Sequence, residues 1–260
     1  MTTKTIEKIC LLREVCKVAG DPSACTRLCP HYIRIHGHKG EGGRVGIAGI
    51  PRDYRNITVG NSPIRQAQPE VYRQIDAYIR TFSRQFDPNG PRIKSLYLYS
   101  DATGTGKTTT ACAILNEYLI RHYVGSLQRG TNPEPRPVYF LNFNQWQSRF
   151  NAANRKHVDE IQAKEASRIY YGMFDAAKAA SLLVIDDIGV RDASDAFRGD
   201  AHDLIDHRVT NRMPTVYTSN VTVDELAQVY DRRLWDRVRD MTGVIRFDGE
   251  SRRGMRREDR

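Results

Sequence analysis

A glycine-rich turn near residue 105 has the residue types and spacing that bind a chain of phosphates. The stretch LYLYSDATGTGKTTTA places Gly104, Gly106, Lys107 and Thr108 in the order of a phosphate-binding loop, the Walker A motif. The glycines let the main chain approach phosphates closely, the lysine reaches the β- and γ-phosphates, and the threonine hydroxyl can bind Mg²⁺. We therefore expect ATP and Mg²⁺ to bind here. The candidate binding residues are Thr103, Gly104, Thr105, Gly106, Lys107, Thr108 and Thr109.

The loop departs from the motif at its first position, where Asp101 replaces a glycine. That position shapes the exit from the preceding strand and does not cradle phosphate, and aspartate accepts turn conformations. Its negative charge is nevertheless unfavourable beside ATP. A chance glycine-rich turn is the alternative, but a strand-like sequence before the loop and a helix-like sequence after it match the context of the motif.

A second acidic motif, LLVIDDIG, ends an apolar strand with Asp186 and Asp187. This is a Walker B pattern, in which the first carboxylate belongs to the magnesium shell and the second polarises the attacking water. Both carboxylates must then lie at the strand tip beside the phosphates. The alternative is a buried strand that ends in a solvated acidic turn, and the upstream phosphate loop argues against it.

The elements that must position these residues alternate between helix and strand. The pattern predicts strands at 95–100, 138–143, 181–189 and 215–220. It predicts helices at 69–86 and 107–123, helical sequence up to about residue 180, and a helix at 200–212. This alternation indicates an α/β fold with a parallel sheet flanked by helices, which binds ligands at the carboxyl ends of its strands.

The chain has 260 residues, and its composition predicts a folded protein. Its formal net charge is +9 at pH 7, which favours polyanionic partners. No stretch approaches the roughly 18 apolar residues of a membrane span, so we expect no membrane contact and a cytoplasmic location. The basic end SRRGMRREDR is typical of a solvated tail, although it could also touch nucleic acid.

Four of the five cysteines, Cys10, Cys16, Cys25 and Cys29, lie close together as C-x5-C-x8-C-x3-C. Four thiolates satisfy tetrahedral zinc, which would supply folding energy to a module too small to build a core. Three alternatives stay open: an iron–sulfur cluster, which the Cys-Pro pair at the fourth position supports, a site in which His31 replaces one thiolate, and unligated cysteines. The glycine-rich stretch that follows, GHKGEGGRVGIAG, predicts a flexible linker.

The chain resembles the AAA+ ATPases, and more narrowly the phage-encoded members of the DnaC/DnaI-type replicative helicase loaders. The resemblance runs from about residue 50 to the end and rests on the two Walker motifs, on DHRVTNRMPTVYTSN and on RRLWDRVRDMTGVIRFDGESRR. It implies that Asn220 is the sensor that helps to place the attacking water. It also implies that Arg237, with Arg233 as the fallback, is the arginine finger that completes the site of a neighbouring subunit.

With these roles, the candidate catalytic residues are Lys107, Asp187, Asn220 and Arg237. Many AAA+ ATPases have glutamate where this chain has Asp187, and the shorter side chain predicts slow hydrolysis. The resemblance also suggests three parts: a cysteine-rich, helicase-binding module at 1–36, a linker at 37–63 and an AAA+ ATPase domain at 64–260.

The function implied by the resemblance is ATP-dependent loading of a hexameric replicative helicase onto single-stranded DNA, with self-association through the ATPase domain. Two alternatives remain: a transposition helper of the IstB type, and a nucleotide-gated adaptor that does not hydrolyse ATP productively. A metabolic P-loop kinase lacks support because the sequence contains no recognisable acceptor site or lid.

Overall fold

A computed structural model describes residues 5–155, 159–189, 193–229, 232–249 and 251 of the chain. Within these residues, five parallel strands form one sheet in the order β2-β3-β4-β1-β5. Their bounds are β1 Ser95–Tyr99, β2 Val138–Asn142, β3 Leu182–Asp186, β4 Thr215–Ser219 and β5 Thr242–Arg246. Strands β3 and β4 are buried along their whole length because helices cover both faces. The predicted α/β fold with a parallel sheet is confirmed.

Helices connect the strands and cover the sheet. The α-helices are α1 Pro30–His36, α2 Gly43–Ile47, α3 Pro69–Arg80, α4 Lys107–Gln128, α5 Phe143–Ala153, α6 Glu160–Ala179, α7 Asp195–Thr210, α8 Val223–Val229 and α9 Arg232–Asp240. Short 3-10 helices lie at Glu7–Ile9, Arg13–Val15, Arg52–Tyr54, Arg65–Ala67 and Thr81–Phe86. Among the described residues, no helix combines the length and the apolar sequence needed to cross a membrane.

Several helix ends differ from the predicted ones for local reasons. The helix expected at 69–86 is an α-helix only to Arg80 and continues as a 3-10 helix. Helix α7 begins before residue 200, because the Ser194 side chain caps it by accepting a hydrogen bond from the main-chain N–H of Phe197. The Asn142 side chain caps α5 in the same way, so this helix follows β2 without a loop.

Helix α4 carries the phosphate loop into the centre of the molecule. It is buried for most of its length and packs against β2, β3 and β4. Cys112 on this helix is fully buried, as its apolar surroundings predict. Leu11 and Ile35 from the cysteine-rich module belong to the same apolar cluster as α4. The module is therefore packed onto the α/β domain in this structure.

Part of residues 37–63, the expected linker, is packed against the core. Val45, Ala48 and Ile50 are buried in the main core, and the N–H of Phe140 donates to the carbonyl oxygen of Ala48 at 2.8 Å. This hydrogen bond covers part of the open edge of β2. The glycines suggested flexibility, but three apolar side chains in this short stretch bury enough surface to order it. The division of the chain into three parts stays a prediction.

Candidate functional site

The phosphate loop connects β1 to α4 at the carboxyl edge of the sheet. Gly104 and Gly106 have φ angles of 76° and 103°, which are left-handed conformations that side chains disfavour. A Cβ atom on Gly106 would lie 2.6 Å from the side chain of Ile64, so there is also no space for a side chain at this position. The hydroxyl of Thr105 is buried without a hydrogen-bond partner among the described residues. The loop therefore fits a phosphate ligand by conformation and by unused hydrogen-bonding capacity.

Lys107 and Asn220 come together at this loop. The Nζ atom of Lys107 donates to Oδ1 of Asn220 at 2.8 Å and to the carbonyl oxygen of Ala102 at 3.1 Å. Strand pairing explains the contact, because β1 and β4 are neighbours with Tyr99 opposite Ser219, and both chains leave the sheet side by side. The sequence predicted both residues, and the structure brings them together.

Asp186 lies at the tip of β3 and contacts the first turn of α4. Its Oδ1 atom accepts hydrogen bonds from the hydroxyls of Thr108 at 3.0 Å and Thr218 at 2.7 Å. Burial raises the pKa of Asp186 to about 6, the charge of Asp187 adds to the rise, and the two threonine hydrogen bonds oppose it. Thr108 and Asp186, the two residues predicted to hold Mg²⁺, are thus already adjacent.

Sequence reasoning missed Thr218, which orients both acidic residues. Besides its bond to Asp186, the Thr218 hydroxyl accepts a hydrogen bond from the main-chain N–H of Asp187 at 2.9 Å. The signal in the sequence was a threonine in a strand buried along its whole length, two residues before the predicted sensor. A buried hydroxyl at that position needs polar partners, and the acidic turn supplies them.

Asp187 has a φ angle of 59°, an uncommon left-handed conformation for a residue with a side chain. Its bond to Thr218 holds the turn that follows β3, and the side chain is half-buried. Left-handed residues outside glycine occur often at functional sites, where surrounding contacts hold them in place. The two carboxylates of the acidic pair therefore have different positions: that of Asp186 is buried and hydrogen-bonded, and that of Asp187 is more accessible.

Asp101 forms an ion pair with Arg246, a residue that no sequence motif points to. Nη2 of Arg246 lies 3.2 Å from Oδ2 of Asp101, and its Nε lies 3.1 Å from Oδ1 of Asp248. The guanidinium also lies 6.0 Å from the centre of the Tyr99 ring. Because β5 pairs with β1, the end of β5 brings this arginine next to the start of the phosphate loop.

The candidate arginine finger lies on α9 and contacts α7. Arg237 forms an ion pair with Asp206 at 2.6 Å and donates to the hydroxyl of Thr210 at 2.9 Å. Its described contacts are thus with α7 and not with Lys107 or Asp186. Arg233 is exposed on the same helix. Within one chain, the structure does not bring Arg237 to the phosphate loop, which is the arrangement that a finger acting in a neighbouring subunit requires.

The four N-terminal cysteines approach one another. Burial raises the pKa of Cys10, and the charges of Cys16, Cys25 and Cys29 add to the rise, so all three lie within electrostatic range. Among the described residues, however, no group of three or more His, Cys, Asp or Glu side chains is arranged to hold a metal ion. His31 hydrogen-bonds with the Tyr123 hydroxyl at 2.9 Å. The thiols have the right chemistry for zinc, but the described residues do not show a ligating geometry.

Comparisons with known proteins support the resemblance. No family model matches the chain. The replicative helicase loader DnaI of Bacillus subtilis (strain 168) is 25% identical over 189 residues, which are 68% of this chain and 52% of that protein. The chain thus spans about half the length of this curated relative.

Two crystal structures have a similar fold. A structure of DnaI is 20% identical with a TM-score of 0.53, and it matches over 78% of this chain and 94% of its own. A structure of the DnaC helicase loader is 19% identical with a TM-score of 0.53, over 76% and 100% of the two chains. The predicted resemblance to DnaC/DnaI-type helicase loaders is confirmed, and membership of the AAA+ ATPases and a phage origin stay predictions.

Proposed function

We propose that this chain is an ATP-dependent loader that places a hexameric replicative helicase on single-stranded DNA. The observation that carries the proposal is the meeting of Lys107, Thr108, Asp186 and Asn220 at one edge of the sheet. These groups match the parts of a nucleotide-hydrolysing site, in a chain that is similar to helicase loaders.

The proposed chemistry uses side chains that already lie at the loop and requires one of their hydrogen bonds to break. The main-chain amides of 103–109 and the ammonium of Lys107 bind the phosphates, which displaces Lys107 from Asn220. Thr108 and Asp186 would hold Mg²⁺, which supplies positive charge to the phosphates when bound. Asp187 accepts a proton from the attacking water, and Asn220 orients that water. Because aspartate is shorter than glutamate, hydrolysis is slow.

Assembly completes the site in this proposal. Arg237 of one copy stabilises the charge of the transferring phosphoryl group bound to the next copy, so hydrolysis requires self-association. Arg237 must first leave Asp206, and their exposed ion pair opposes this weakly, by about 0.2–1 kcal/mol. Single-stranded DNA binds the ATPase domain, and ATP turnover times the release of the helicase.

The cysteine-rich module, residues 1–36, is the proposed helicase-binding arm. Cys10, Cys16, Cys25 and Cys29 would hold Zn²⁺, and binding would require their thiolates to move to one point, because the described residues show no ligating geometry. Zinc in this place would fix a module whose separate apolar cluster of buried residues is small and consists of Ile6, Cys25 and Tyr32. Metal analysis of the purified chain tests this proposal. About one zinc per chain supports it, and iron indicates an iron–sulfur cluster. Absence of both metals would show that the cysteines do not hold a metal.

Affinity purification from the native host tests the loader function. The chain is used as bait with ATP and, separately, with a slowly hydrolysed ATP analogue, and the captured proteins are identified by mass spectrometry. We expect subunits of the replicative helicase, with a yield that depends on the nucleotide and falls for Lys107→Ala. Lys94→Ala, which removes an exposed lysine before β1, is the control. Capture of a transposase instead would indicate the IstB-type function, and capture of the helicase without any turnover would indicate the adaptor.

A further inference from the structure

A cavity of about 310 Å³ lies between the cysteine-rich module and the segment that follows it, apart from the phosphate loop. Tyr32 and His36 of α1 form one wall, and Arg55 and Asn56 form another. Asn116 of α4 supports the second wall by donating to the carbonyl oxygens of Tyr54 and Ile57, each at 2.8 Å. The roles proposed for the nucleotide site use none of the residues that line this cavity.

The cavity has an excess of positive charge. Arg27, Lys39, Arg52 and Arg55 line it, and Glu41 is the carboxylate among the lining residues. The carboxylate of Glu41 pairs with Arg52 at 3.1 Å, so these two charges compensate each other. Arg27 and Lys39 form no ion pair with any described residue, which leaves two cations available together with Arg55.

Arg55 is held by main-chain carbonyl groups and forms no ion pair with a carboxylate of the described residues. Its guanidinium donates to the carbonyl oxygens of Ile50 at 3.1 Å and Glu41 at 3.0 Å. Burial and the charge of Arg55 lower the pKa of His36 to about 4, so this imidazole is neutral at pH 7. The N–H of Leu11 donates to Nε2 of His36 at 3.0 Å, which places the proton of the neutral ring on Nδ1.

Arg27 lies on the same side of the cavity as α1. Its guanidinium is near the phenol of Tyr32, and both residues line the cavity.

We propose that this cavity binds a phosphate of a nucleic-acid backbone through Arg27, Lys39 and Arg55, as a contact separate from the nucleotide site. The net charge of +9 favours a polyanion, and arginine forks match phosphate oxygens. The Tyr32 ring is only 2% exposed and stacks on His36 with ring centres 4.8 Å apart, so it is not free to stack on a base. The contact is therefore to the backbone and independent of base sequence.

The test compares the full chain with the double variant Arg27→Ser, Lys39→Ser, which removes two exposed cations of the cavity and leaves Arg55 in place. Binding of a fluorescent single-stranded oligothymidine is measured by anisotropy without nucleotide at several salt concentrations. We expect the double variant to bind the oligonucleotide about fivefold or more weakly at low salt. The slope of the logarithm of the binding constant against the logarithm of the salt concentration becomes shallower by about 0.7 for each lost phosphate contact. A probe with the same backbone but without bases loses affinity by the same factor.

The matched control is Arg92→Ser, Lys94→Ser, which removes the same charge from exposed positions just before β1. We expect this control to lower the affinity for oligothymidine by less than about twofold, because its lost charges lie outside the cavity. Equal losses of oligothymidine affinity in both variants would overturn the proposal. Binding of polyglutamate is measured in the same way. If the cavity variant loses polyglutamate binding and keeps oligothymidine binding, the proposal is overturned and the cavity fits an acidic protein partner. Thermal unfolding and metal content confirm that each variant is folded. The assay contains neither helicase nor ATP, so equal losses in the two variants would reject the cavity contact without bearing on helicase binding or ATP turnover.

Discussion

The carboxylate of Asp101 lies 3.2 Å from the guanidinium of Arg246, so the one acidic residue that departs from the phosphate-loop motif has a cationic partner. Both side chains are more than half exposed. Such a pair contributes about 0.2–1 kcal/mol, which is enough to alter nucleotide affinity a few-fold but not to decide whether the loop folds. The arginine thus offsets a charge that would otherwise repel ATP.

The first prediction concerns this pair and ATP affinity. We expect Asp101→Gly to change the ATP dissociation constant by less than about twofold, because Arg246 already offsets the charge of Asp101 and stays paired with Asp248 in this variant. Arg246→Ala leaves Asp101 uncompensated and weakens binding by about two- to fivefold. Adding Asp101→Gly to Arg246→Ala restores the affinity. Titration calorimetry measures all four proteins, and a double variant as weak as Arg246→Ala alone would show that the arginine acts independently of Asp101.

The second prediction concerns hydrolysis. Asp187→Asn removes the proposed base but keeps the turn, because asparagine also accepts the left-handed conformation seen at φ 59°. We expect turnover to fall by about 100-fold or more while ATP affinity stays within about twofold. Phosphate release and calorimetry measure the two quantities. Asp175→Asn, which changes an exposed carboxylate on α6, is the control and keeps full turnover. Unchanged turnover in Asp187→Asn would assign the base to another residue.

The third prediction tests whether Arg237 acts on a neighbouring copy. Lys107→Ala has a defective phosphate loop and an intact finger, whereas Arg237→Ala has the reverse. Each variant alone is expected to lose at least about 100-fold in turnover, and a mixture of the two recovers part of it because mixed assemblies contain complete sites. Phosphate release at several mixing ratios measures the recovery.

Two further variants refine that experiment. Asp206→Asn releases Arg237 from its partner on α7 and raises turnover at low protein concentration, where assembly limits the rate. Arg233→Ala keeps wild-type activity if Arg237 is the finger. Loss of activity in Arg233→Ala with full activity in Arg237→Ala would assign the role to Arg233.

Local sequence predicted the parts of the candidate site that depend on a single strand and the turn after it. The strand, glycine-rich turn and helix around Lys107 followed from short-range patterns, as did the buried strand that ends at Asp186. Arg246 and Ile64 were missed because they reach the loop through strand pairing and chain packing between residues far apart in sequence. Glycine content was a poor guide for residues 37–63, where the positions of Val45, Ala48 and Ile50 decide the packing.

Arg208 is a further residue whose role depends on long-range packing. Its side chain is fully buried, and burial lowers its pKa to about 10, so it is charged at pH 7. The guanidinium donates to the carbonyl oxygens of Ala177 and Ala180 at the end of α6, each at 2.8 Å. It also donates to the Thr215 hydroxyl and to the carbonyl oxygen of Pro214, each at 2.8 Å. A single buried cation thus joins α6, α7 and the start of β4.

The last prediction is that Arg208→Leu destabilises the chain without affecting its chemistry. The substitution leaves carbonyl oxygens at the end of α6 buried and unpaired, which costs about 3 kcal/mol or more in the free energy of unfolding. For a chain of this length, the thermal midpoint is expected to fall by roughly 2–4 °C per kcal/mol. Arg208→Lys recovers little, because an ammonium cannot reach the same set of oxygens.

Urea unfolding measures the loss of stability. The control is Arg168→Leu, on the exposed face of α6, whose free energy of unfolding is expected to stay within about 0.5 kcal/mol of that of the unchanged chain. A loss of similar size in both variants would show that the effect comes from removing any arginine near α6 and not from these hydrogen bonds.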